Sequence, residues 1–398
     1  MSNKRIVYLD NACTGLYSQK VLSCAEIFVT LLNEIQTGLV PQSVVLQGLL
    51  DEARNKVAEL VNCDVSEVAL VESTSHGLGI VSEVVDIKPE ENVLVCDLEY
   101  QASYFCLTRK QRKIGFEIRH VKSKENEITA EIFKKYIDRN TRLIILSSVQ
   151  EINGYRADLK AISDLAHQYG CYVAIDGVQE VGAMHVDVKK MGIDFYCAGA
   201  KKWIGSPFGM GFMYIKKQLI DILEPAYDTY FNALLPKHYP DYDTYLENPD
   251  RSPFDEMEMI NTARKFEING YRNYLGAMGL TKAIEVLQKY GLKEIEEKII
   301  SLNLKFTEGL RQLGIDTVSS KDRPHMSSTV SFNLGFKGGG SSEEKKLMDY
   351  LLEKNIIVSL RCASWTGGIR VSMHYYTTEE DIDSILFAIG NFLSLQQC

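Results

Sequence analysis

The sequence predicts an α/β protein with a mainly parallel sheet that is covered by helices on both faces. Between about residues 47 and 215, short apolar runs alternate with stretches of helical periodicity. This alternation is typical of repeated strand and helix units. The 398 residues, 45% of them hydrophobic, suffice for one large core and a smaller one. We therefore expect a large sheet domain followed by a smaller domain.

Six apolar runs are the predicted strands of the large sheet. They are Val68–Val71, Asn92–Cys96, Leu143–Ser147, Tyr172–Ile175, Phe195–Ala198 and Gly211–Ile215. Ligands of open α/β sheets bind beyond the carboxyl ends of the strands. Polar or reactive side chains lie just beyond these runs, namely Ser75, His76, Tyr100, Ser148, Asp176 and Lys202.

The alternation of apolar runs and helical periodicity ends after about residue 220. Residues 225–258 hold five tyrosines and five prolines with little periodicity. They read as a long loop that serves as a lid or interface arm, or as a surface insertion packed by its own aromatic side chains. Two helical patterns, a strand near residue 330, a helix ending at Lys354 and strands near Ile357 and Ile369 then predict an α+β domain. The predicted division is an N-terminal segment 1–20 near the active site, a large domain 21–270 and a small domain 271–398.

Composition argues against several classes of protein. A net charge of -9, a pI near 5.5 and the lack of a long basic block disfavour nucleic-acid or anionic-membrane binding. No apolar stretch approaches the roughly 20 residues of a membrane span, and the start lacks an apolar signal core, so we expect a cytoplasmic protein. Nine cysteines without a CxxC spacing predict neither a disulfide framework nor a metal site.

Lys202 and Asp176 are the most informative pair in the sequence. Asp176 ends an apolar strand, and Lys202 follows the next one, 26 residues later. A lysine amine can bond to the aldehyde of pyridoxal phosphate, and a buried aspartate can keep the pyridine nitrogen protonated. Gln179 is then placed to bond the ring hydroxyl. Taken singly, Asp176 also fits a helix cap and Lys202 a solvated lysine, so the pair carries the prediction of this cofactor.

The surrounding motifs resemble class V aminotransferases, a family that includes cysteine desulfurases and isopenicillin N epimerases. The resemblance extends from Tyr8-Leu-Asp-Asn-Ala12 to Ile369-Arg-Val-Ser372 and includes Asp176-Gly-Val-Gln179 and the run from Lys202-Trp203 to Gly211-Phe212. It implies a fold-type I pyridoxal phosphate enzyme that acts on an amino acid or amino-acid derivative. The pattern is nearest to the isopenicillin N epimerase-like branch.

The resemblance also implies which residues bind the cofactor. Thr74, Ser75 and His76 stand in the loop that grips the phosphate, although serine and threonine there also serve as N-caps. Tyr100 takes the place of the aromatic group stacked on the ring, where a core tyrosine is the alternative. Ser148 replaces a desulfurase asparagine on the ring hydroxyl side, and Gly199 replaces a phosphate-binding serine.

Three residues are implied to bind the substrate. Arg370 corresponds to the arginine that clamps the α-carboxylate, since a planar guanidinium matches a carboxylate with two parallel hydrogen bonds. Arg361 matches a second family arginine. Asn11 lies in an N-terminal segment that is near the substrate in relatives. For either arginine, the alternative is a surface ion pair.

A homodimer with shared active sites is also implied. Phe266-Glu-Ile-Asn-Gly270-Tyr271-Arg resembles the stretch by which a neighbouring subunit contacts the phosphate, with Tyr271 in place of a threonine. We expect Gly270 and Tyr271 at that contact, and a small amino-acid-like molecule as the substrate.

Departures from the desulfurase pattern bear on the reaction. Lys201 stands where desulfurases carry a histidine, and the segment between Arg361 and Arg370 is too short for a loop bearing a nucleophilic cysteine. We therefore do not expect Cys362 to be that nucleophile, whereas Cys13 replaces an alanine near the substrate. Epimerisation, β-elimination with C–S cleavage, decarboxylation and transamination remain open. A non-catalytic cofactor-binding protein is the alternative of another class, and a dinucleotide enzyme is disfavoured because no GxGxxG follows an early strand.

Overall fold

The computed structural model describes residues 5–235, 242–252, 254–267, 272–335 and 338–396, and for residues 231, 242 and 243 the backbone alone. The described strands are β1 Val7–Tyr8, β2 Val68–Val71, β3 Asn92–Cys96, β4 Glu117–Val121, β5 Thr141–Ser147, β6 Tyr172–Asp176, β7 Phe195–Gly199, β8 Gly211–Ile215, β9 Thr329–Phe332, β10 Ile356–Ile357, β11 Ser359–Ala363 and β12 Thr366–Ser372.

The helices alternate with these strands through the first half of the chain and dominate the second half. They are α1 Gln19–Leu22, α2 Cys24–Gln36, α3 Gln42–Val61, α4 Thr74–Val84, α5 Gln101–Ile114, α6 Ala130–Phe133, α7 Leu159–Gln168, α8 Val188–Met191, α9 Lys217–Ile220, α10 Tyr242–Glu247, α11 Tyr274–Tyr290, α12 Leu292–Gln312, α13 Ser342–Glu353 and α14 Glu379–Gln396.

A seven-stranded sheet forms the centre of the large unit. Its strand order is β2-β8-β7-β6-β5-β3-β4, and β8 alone runs against its neighbours. Successive side chains of one strand enter different cores: Leu143 and Ile145 of β5 face one cluster, and Ile144 and Leu146 face the other. Both faces are therefore covered, which explains the continuous apolar runs of the central strands. The predicted α/β fold with a mainly parallel sheet is confirmed.

The edge strand β4 is absent from the predicted strands. Of its five residues, Glu117–Val121, only Val121 is buried. An edge strand with one solvated face has a polar sequence, so it lacks the apolar run on which the prediction depends.

The smaller unit has a core of its own. Strands β11, β12 and β9 form an antiparallel sheet in that order, and β1 pairs in parallel with β10. Val7 and Leu9 of the N-terminal segment are buried in this core. Helix α11 and the start of α12 belong instead to the core of the large unit, from Ala277 to Ile300. The division at residue 270 stays a prediction, and these contacts place the change of core further along α12.

The topology gathers the loops of interest at one edge of the large sheet. Because β3, β5, β6 and β7 are parallel, the segments that follow them emerge at the same end. The N-terminal segment crosses this end, where the amide of Gly15 donates to the carbonyl of Lys201 at 3.1 Å. The amide of Asn11 donates to the carbonyl of Ser372 at 2.7 Å. The two units thus meet where the predicted site residues lie.

Candidate active site

A cavity of about 320 Å³ lies at this edge of the sheet. Six of the predicted site residues line it: Thr74, Ser75, Tyr100, Asp176, Gly199 and Lys202. They come from four loops that are separated by up to 128 positions in the sequence. The cavity has a cationic group, a buried carboxyl, an aromatic wall and a helix N-terminus, the chemical groups that an aldehyde-bearing phosphorylated pyridine needs.

Lys202 lies in the turn that follows β7, and its backbone is closely covered. A Cβ atom on Gly15 would lie 1.9 Å from the carbonyl oxygen of Lys202, so only glycine allows this approach. Burial lowers the pKa of the Lys202 amine, while the charges of Asp176 and Glu151 act in the opposite direction. The neighbouring Lys201 instead places its amine over the ring of Phe208, 5.0 Å from the centroid. Both lysines line the cavity, and they differ in that the Lys201 amine lies against Phe208 whereas Lys202 is the one whose pKa is lowered by burial.

Asp176 ends β6 and is almost fully buried. Its Oδ1 accepts a hydrogen bond from the amide of Val178 at 3.0 Å. Burial raises the pKa of this carboxyl to about 7, and the Val178 amide and the charge of Lys202 oppose the shift. A carboxyl with such a pKa can stay ionised beside a protonated ring nitrogen, since a nearby cation favours the charged form.

The N-terminus of α4 faces the cavity through Thr74 and Ser75. Ser73 caps the helix, because its hydroxyl accepts from the amide of His76 at 3.2 Å. The hydroxyl of Thr74 accepts from the amide of Gly199 at 2.8 Å, which ties the helix start to the end of β7. A Cβ on Gly199 would lie 3.4 Å from the Thr74 nitrogen, an ordinary contact. The glycine therefore leaves open space here without being sterically required.

His76 does not line this cavity, although Thr74 and Ser75 of the same helix do. Its Nδ1 accepts from the amide of Glu72 at 3.3 Å, and its buried Nε2 has no hydrogen-bond partner among the described residues. The ring lines two neighbouring cavities, one with Phe105 and one with Arg272. A contact between His76 and the phosphate stays a prediction.

Tyr100 immediately precedes α5 and forms part of the cavity wall. Its side chain is largely exposed, at 53%. This exposure excludes the core-tyrosine alternative and leaves the ring accessible for stacking. The stacking itself stays a prediction.

Glu99, next to Tyr100, was not among the predicted site residues. Its carboxylate accepts from the amide and hydroxyl of Ser147 at 2.9 and 2.5 Å and from the amide of Gln150 at 2.7 Å. The hydroxyl of Ser103 adds a bond at 3.0 Å. Burial raises the pKa of this carboxyl, and the four donors oppose the shift. Glu99 thus holds the ends of β3 and β5 together behind the cavity.

Three predicted site residues, Ser148, Gln179 and Asn11, form hydrogen bonds with other parts of the protein. Ser148 is fully buried and donates to the carbonyl of Asp176 at 3.4 Å. The amide of Gln179 donates to the carbonyl of Ala12 at 3.2 Å and accepts from the indole of Trp203 at 3.0 Å. Asn11 bonds Ser372, as above, and accepts from the hydroxyl of Tyr376. These bonds order the site, and direct ligand contacts by the three residues stay predictions.

Arg370, in β12, is held by two carboxylates that were not among the predicted site residues. Its Nη2 donates to Asp10 at 3.2 Å, and its Nη1 lies 3.5 Å from the Glu151 carboxylate and 3.2 Å from the Glu151 carbonyl. Its Nε donates to the hydroxyl of Ser359 at 3.2 Å. Burial lowers the pKa of Arg370, and the charges of Glu151 and Asp10 oppose the shift. The alternative of a surface ion pair is wrong, since the side chain is 1% exposed.

Arg361 and Cys362 lie on a tight hairpin. Strands β11 and β12 are joined at Ser364 and Trp365, both with positive φ, which is the geometry of a two-residue turn. Arg361 shares a strand face with Ser359, and Cys362 points to the opposite face, where Gly340 approaches its sulfur. Of the hydrogen bonds of the Arg361 side chain, the described contacts give one, to the carbonyl of Leu360 at 2.9 Å.

Gly270 and Tyr271 lie outside the described residues, so the cross-subunit contact stays a prediction. The preceding Glu267 is buried and accepts from Arg54 through Nε and Nη2 at distances of 2.9 to 3.1 Å. It also accepts from the amide of Leu70 at 2.8 Å. This part of the motif therefore anchors the chain against α3 and β2.

Comparison with known proteins identifies the family. The profile of the aminotransferase class V family matches residues 7–385. This chain belongs to the class V aminotransferase family. The fold, the predicted membership and the expected cofactor, pyridoxal phosphate, are thereby confirmed, and the protein is an enzyme of this pyridoxal phosphate-dependent family.

Curated class V relatives include probable cysteine desulfurases. One from Pyrococcus abyssi is 23% identical over 392 residues, covering 96% of this chain and 93% of the relative. One from Methanothermobacter thermautotrophicus is 27% identical over 392 residues, covering 94% and 92%. The similarity is thus distributed over the whole chain.

Solved structures have the same fold. A cysteine desulfurase from Thermococcus onnurineus superposes with a TM-score of 0.82 at 21% identity, covering 98% of this chain and 95% of the other. The cystine C–S lyase C-DES, solved with cysteine persulfide, has a TM-score of 0.82 at 20% identity, covering 98% of both chains. Among the described residues, no helix combines the length and apolarity needed to cross a membrane.

Proposed function

We propose that this class V enzyme transforms an amino acid, or a derivative of one, at its α- or β-carbon, with Lys202 as the catalytic residue. The observation that supports the proposal is the shared cavity of Lys202 and Asp176, two groups whose pKa values are both shifted by burial. Perturbed pKa values of this kind are common at catalytic sites. Pyridoxal phosphate, when bound, supplies an electron-poor ring that stabilises negative charge on the substrate.

In this proposal each residue has a separate task. Lys202 holds the cofactor in the resting enzyme and then takes and returns a proton at the substrate carbon. Its lowered amine pKa favours the neutral form that a general base requires. With the cofactor bound, Asp176 would hold the ring nitrogen in its protonated form, Tyr100 would stack on the ring, and the start of α4 would receive the phosphate. Arg370 orients the substrate carboxylate.

The finer proposal is a reaction of the isopenicillin N epimerase type, in which proton transfer at the α-carbon suffices and no protein thiol takes part. The tight β11–β12 hairpin supports it, because it gives Cys362 no extended loop on which to reach a substrate.

C–S cleavage of cysteine or cystine is a second candidate. Its support is the set of relatives named cysteine desulfurase and the C–S lyase neighbour. Incubation with cysteine, cystine and a panel of other amino acids separates the two. Release of sulfide or persulfide would select the cleavage reaction, whereas loss of optical purity without sulfur release would select epimerisation.

The proposed attachment site is tested by reducing the enzyme and its cofactor with borohydride and mapping the labelled peptide. We expect the label on Lys202. Lys202→Ala should lose the absorption band at roughly 410 to 430 nm that a lysine-bound cofactor gives, and Lys201→Ala should retain it. Label on Lys201 would contradict the assignment.

We further propose a homodimer with shared active sites. Large aromatic residues are exposed in the single chain: Tyr100, which lines the candidate site, at 53%, and Phe105 and Tyr227, which line a second cavity with His76, at 61% and 57%. Exposed apolar groups in such number are typical of interfaces. Light scattering coupled to gel filtration should give the mass of two chains, and a monomer mass would refute this proposal.

A further inference from the structure

Glu151 accepts hydrogen bonds from the Arg370 guanidinium, the group to which the substrate carboxylate is proposed to bind. Arg370 has five N–H donors, and four of its hydrogen bonds are already directed at protein groups: Ser359, Asp10, and the carbonyl and carboxylate of Glu151. A carboxylate bound by two parallel bonds needs an adjacent pair of these donors. Such a pair becomes available only if one of the present partners leaves.

Side-chain exposure indicates what an incoming molecule meets first. The Arg370 side chain is 1% exposed, whereas Asp10 is 15% exposed and Glu151 is 17% exposed. Two carboxylates therefore cover the guanidinium. An anionic group that approaches Arg370 passes them and is repelled unless one moves.

Of the two, Glu151 is held less firmly. Asp10 accepts from Arg370 at 3.2 Å and from the hydroxyl of Ser359 at 2.8 Å. The Glu151 carboxylate lies 3.5 Å from Arg370, at the limit of a hydrogen bond. Glu151 is also close enough to Lys202 for its charge to affect the pKa of the amine. Glu151 thus contacts the guanidinium directly, and its charge also acts on the reactive lysine.

We propose that Glu151 is a specificity-determining residue that competes with the substrate carboxylate for Arg370. This inference rests on the proposed function, in which Arg370 binds that carboxylate. When a carboxylate takes the guanidinium, the Glu151 carboxylate is released but stays nearby. A second negative group on the substrate then meets Glu151, so the site selects monocarboxylic over dicarboxylic substrates.

Propionate and succinate can test this selectivity. Neither acid has an amine, so neither reacts with the cofactor. Calorimetry on the holoenzyme measures the affinities of propionate and succinate for wild type and Glu151→Gln. We expect wild type to prefer propionate. Glu151→Gln should raise propionate affinity by at least about tenfold, since a charge-assisted bond no longer has to be broken, and should raise succinate affinity further.

Three variants complete the design. Glu90→Gln makes the same charge change at an exposed position and should leave both affinities unchanged. Glu151→Asp keeps the charge and should stay close to wild type in its preference for propionate. The double variant Glu151→Gln, Arg370→Gln should lose the gained affinity.

Two results would overturn the inference: unchanged affinities in Glu151→Gln, or a gain that persists without Arg370. Retention of the cofactor band and of the thermal transition verifies that each variant is folded. The proposed function fails on a different result, namely label on a residue other than Lys202, so the two failures are distinguishable.

Discussion

The hydroxyl of Thr74 accepts a hydrogen bond from the backbone amide of Gly199 at 2.8 Å. This bond joins the first residue of α4 to the last residue of β7 across 125 positions of sequence. The start of α4 and the segment that carries Lys202 are therefore positioned by the same contact.

We predict that Thr74→Val weakens both folding and cofactor binding. Valine has the same shape but no acceptor, so the Gly199 amide loses its partner, which costs about 1–3 kcal/mol when the group is buried. Thr74→Ser retains the acceptor and is the control. Denaturant unfolding and a cofactor titration measure both effects, and equal values for the valine and serine variants would contradict the prediction.

Gly15→Ala should destabilise the protein by about 1–3 kcal/mol, because the new methyl group collides with the Lys202 carbonyl and the two backbones must separate. The same substitution at Gly48 should have the opposite effect on stability. Gly48 lies in α3 with open space around its Cβ position, so Gly48→Ala should stabilise by about 0.5–1 kcal/mol. Denaturant unfolding curves of both variants, measured under the same conditions, test these two predictions. A change of stability in the same direction for both variants would refute the steric explanation.

Cys362→Ser should leave turnover largely intact and change stability by less than about 0.5 kcal/mol. The sulfur lies on the strand face opposite to Arg361 and Ser359. Although the residue is exposed, partial burial of its sulfur raises the pKa of the thiol, which disfavours the nucleophilic thiolate. Cys13→Ser is the matched variant, since Cys13 is also exposed but lies two residues before Gly15. Mass spectrometry after incubation with cysteine checks both thiols, and a persulfide on Cys362 or Cys13 would contradict the thiol-independent reaction.

Asp176 should make the cofactor-free protein less stable as the pH rises. Its folded pKa of about 7 lies above the ordinary value of 3.8, so the folded state binds more protons between these two pH values. The free energy of unfolding therefore falls through this window, by at most about 4 kcal/mol. Asp176→Asn should flatten this dependence. Urea unfolding at several pH values measures the slope, and parallel profiles for the two proteins would be inconsistent with the raised pKa.

The local sequence pattern was sufficient to predict most strands of the large sheet. The runs Val68–Val71, Asn92–Cys96 and Gly211–Ile215 form strands with the predicted bounds, because burial on both faces requires apolar side chains at every position. The edge strand Glu117–Val121 was missed because one solvated face removes that signal. The order of strand ends along the chain likewise sufficed to place Asp176 and Lys202 on one cavity.

The environment of each site residue depended on tertiary structure. Arg370 was identifiable from its motif, yet its partners Asp10 and Glu151 lie 360 and 219 positions away. Glu99 behaves similarly, since it binds Ser147 across 48 positions. Sequence periodicity reports which face of an element is buried, and the chemistry of neighbouring motifs reports the class of cofactor. Which polar groups meet across that buried face depends on how separate elements pack, and the fold alone decides it.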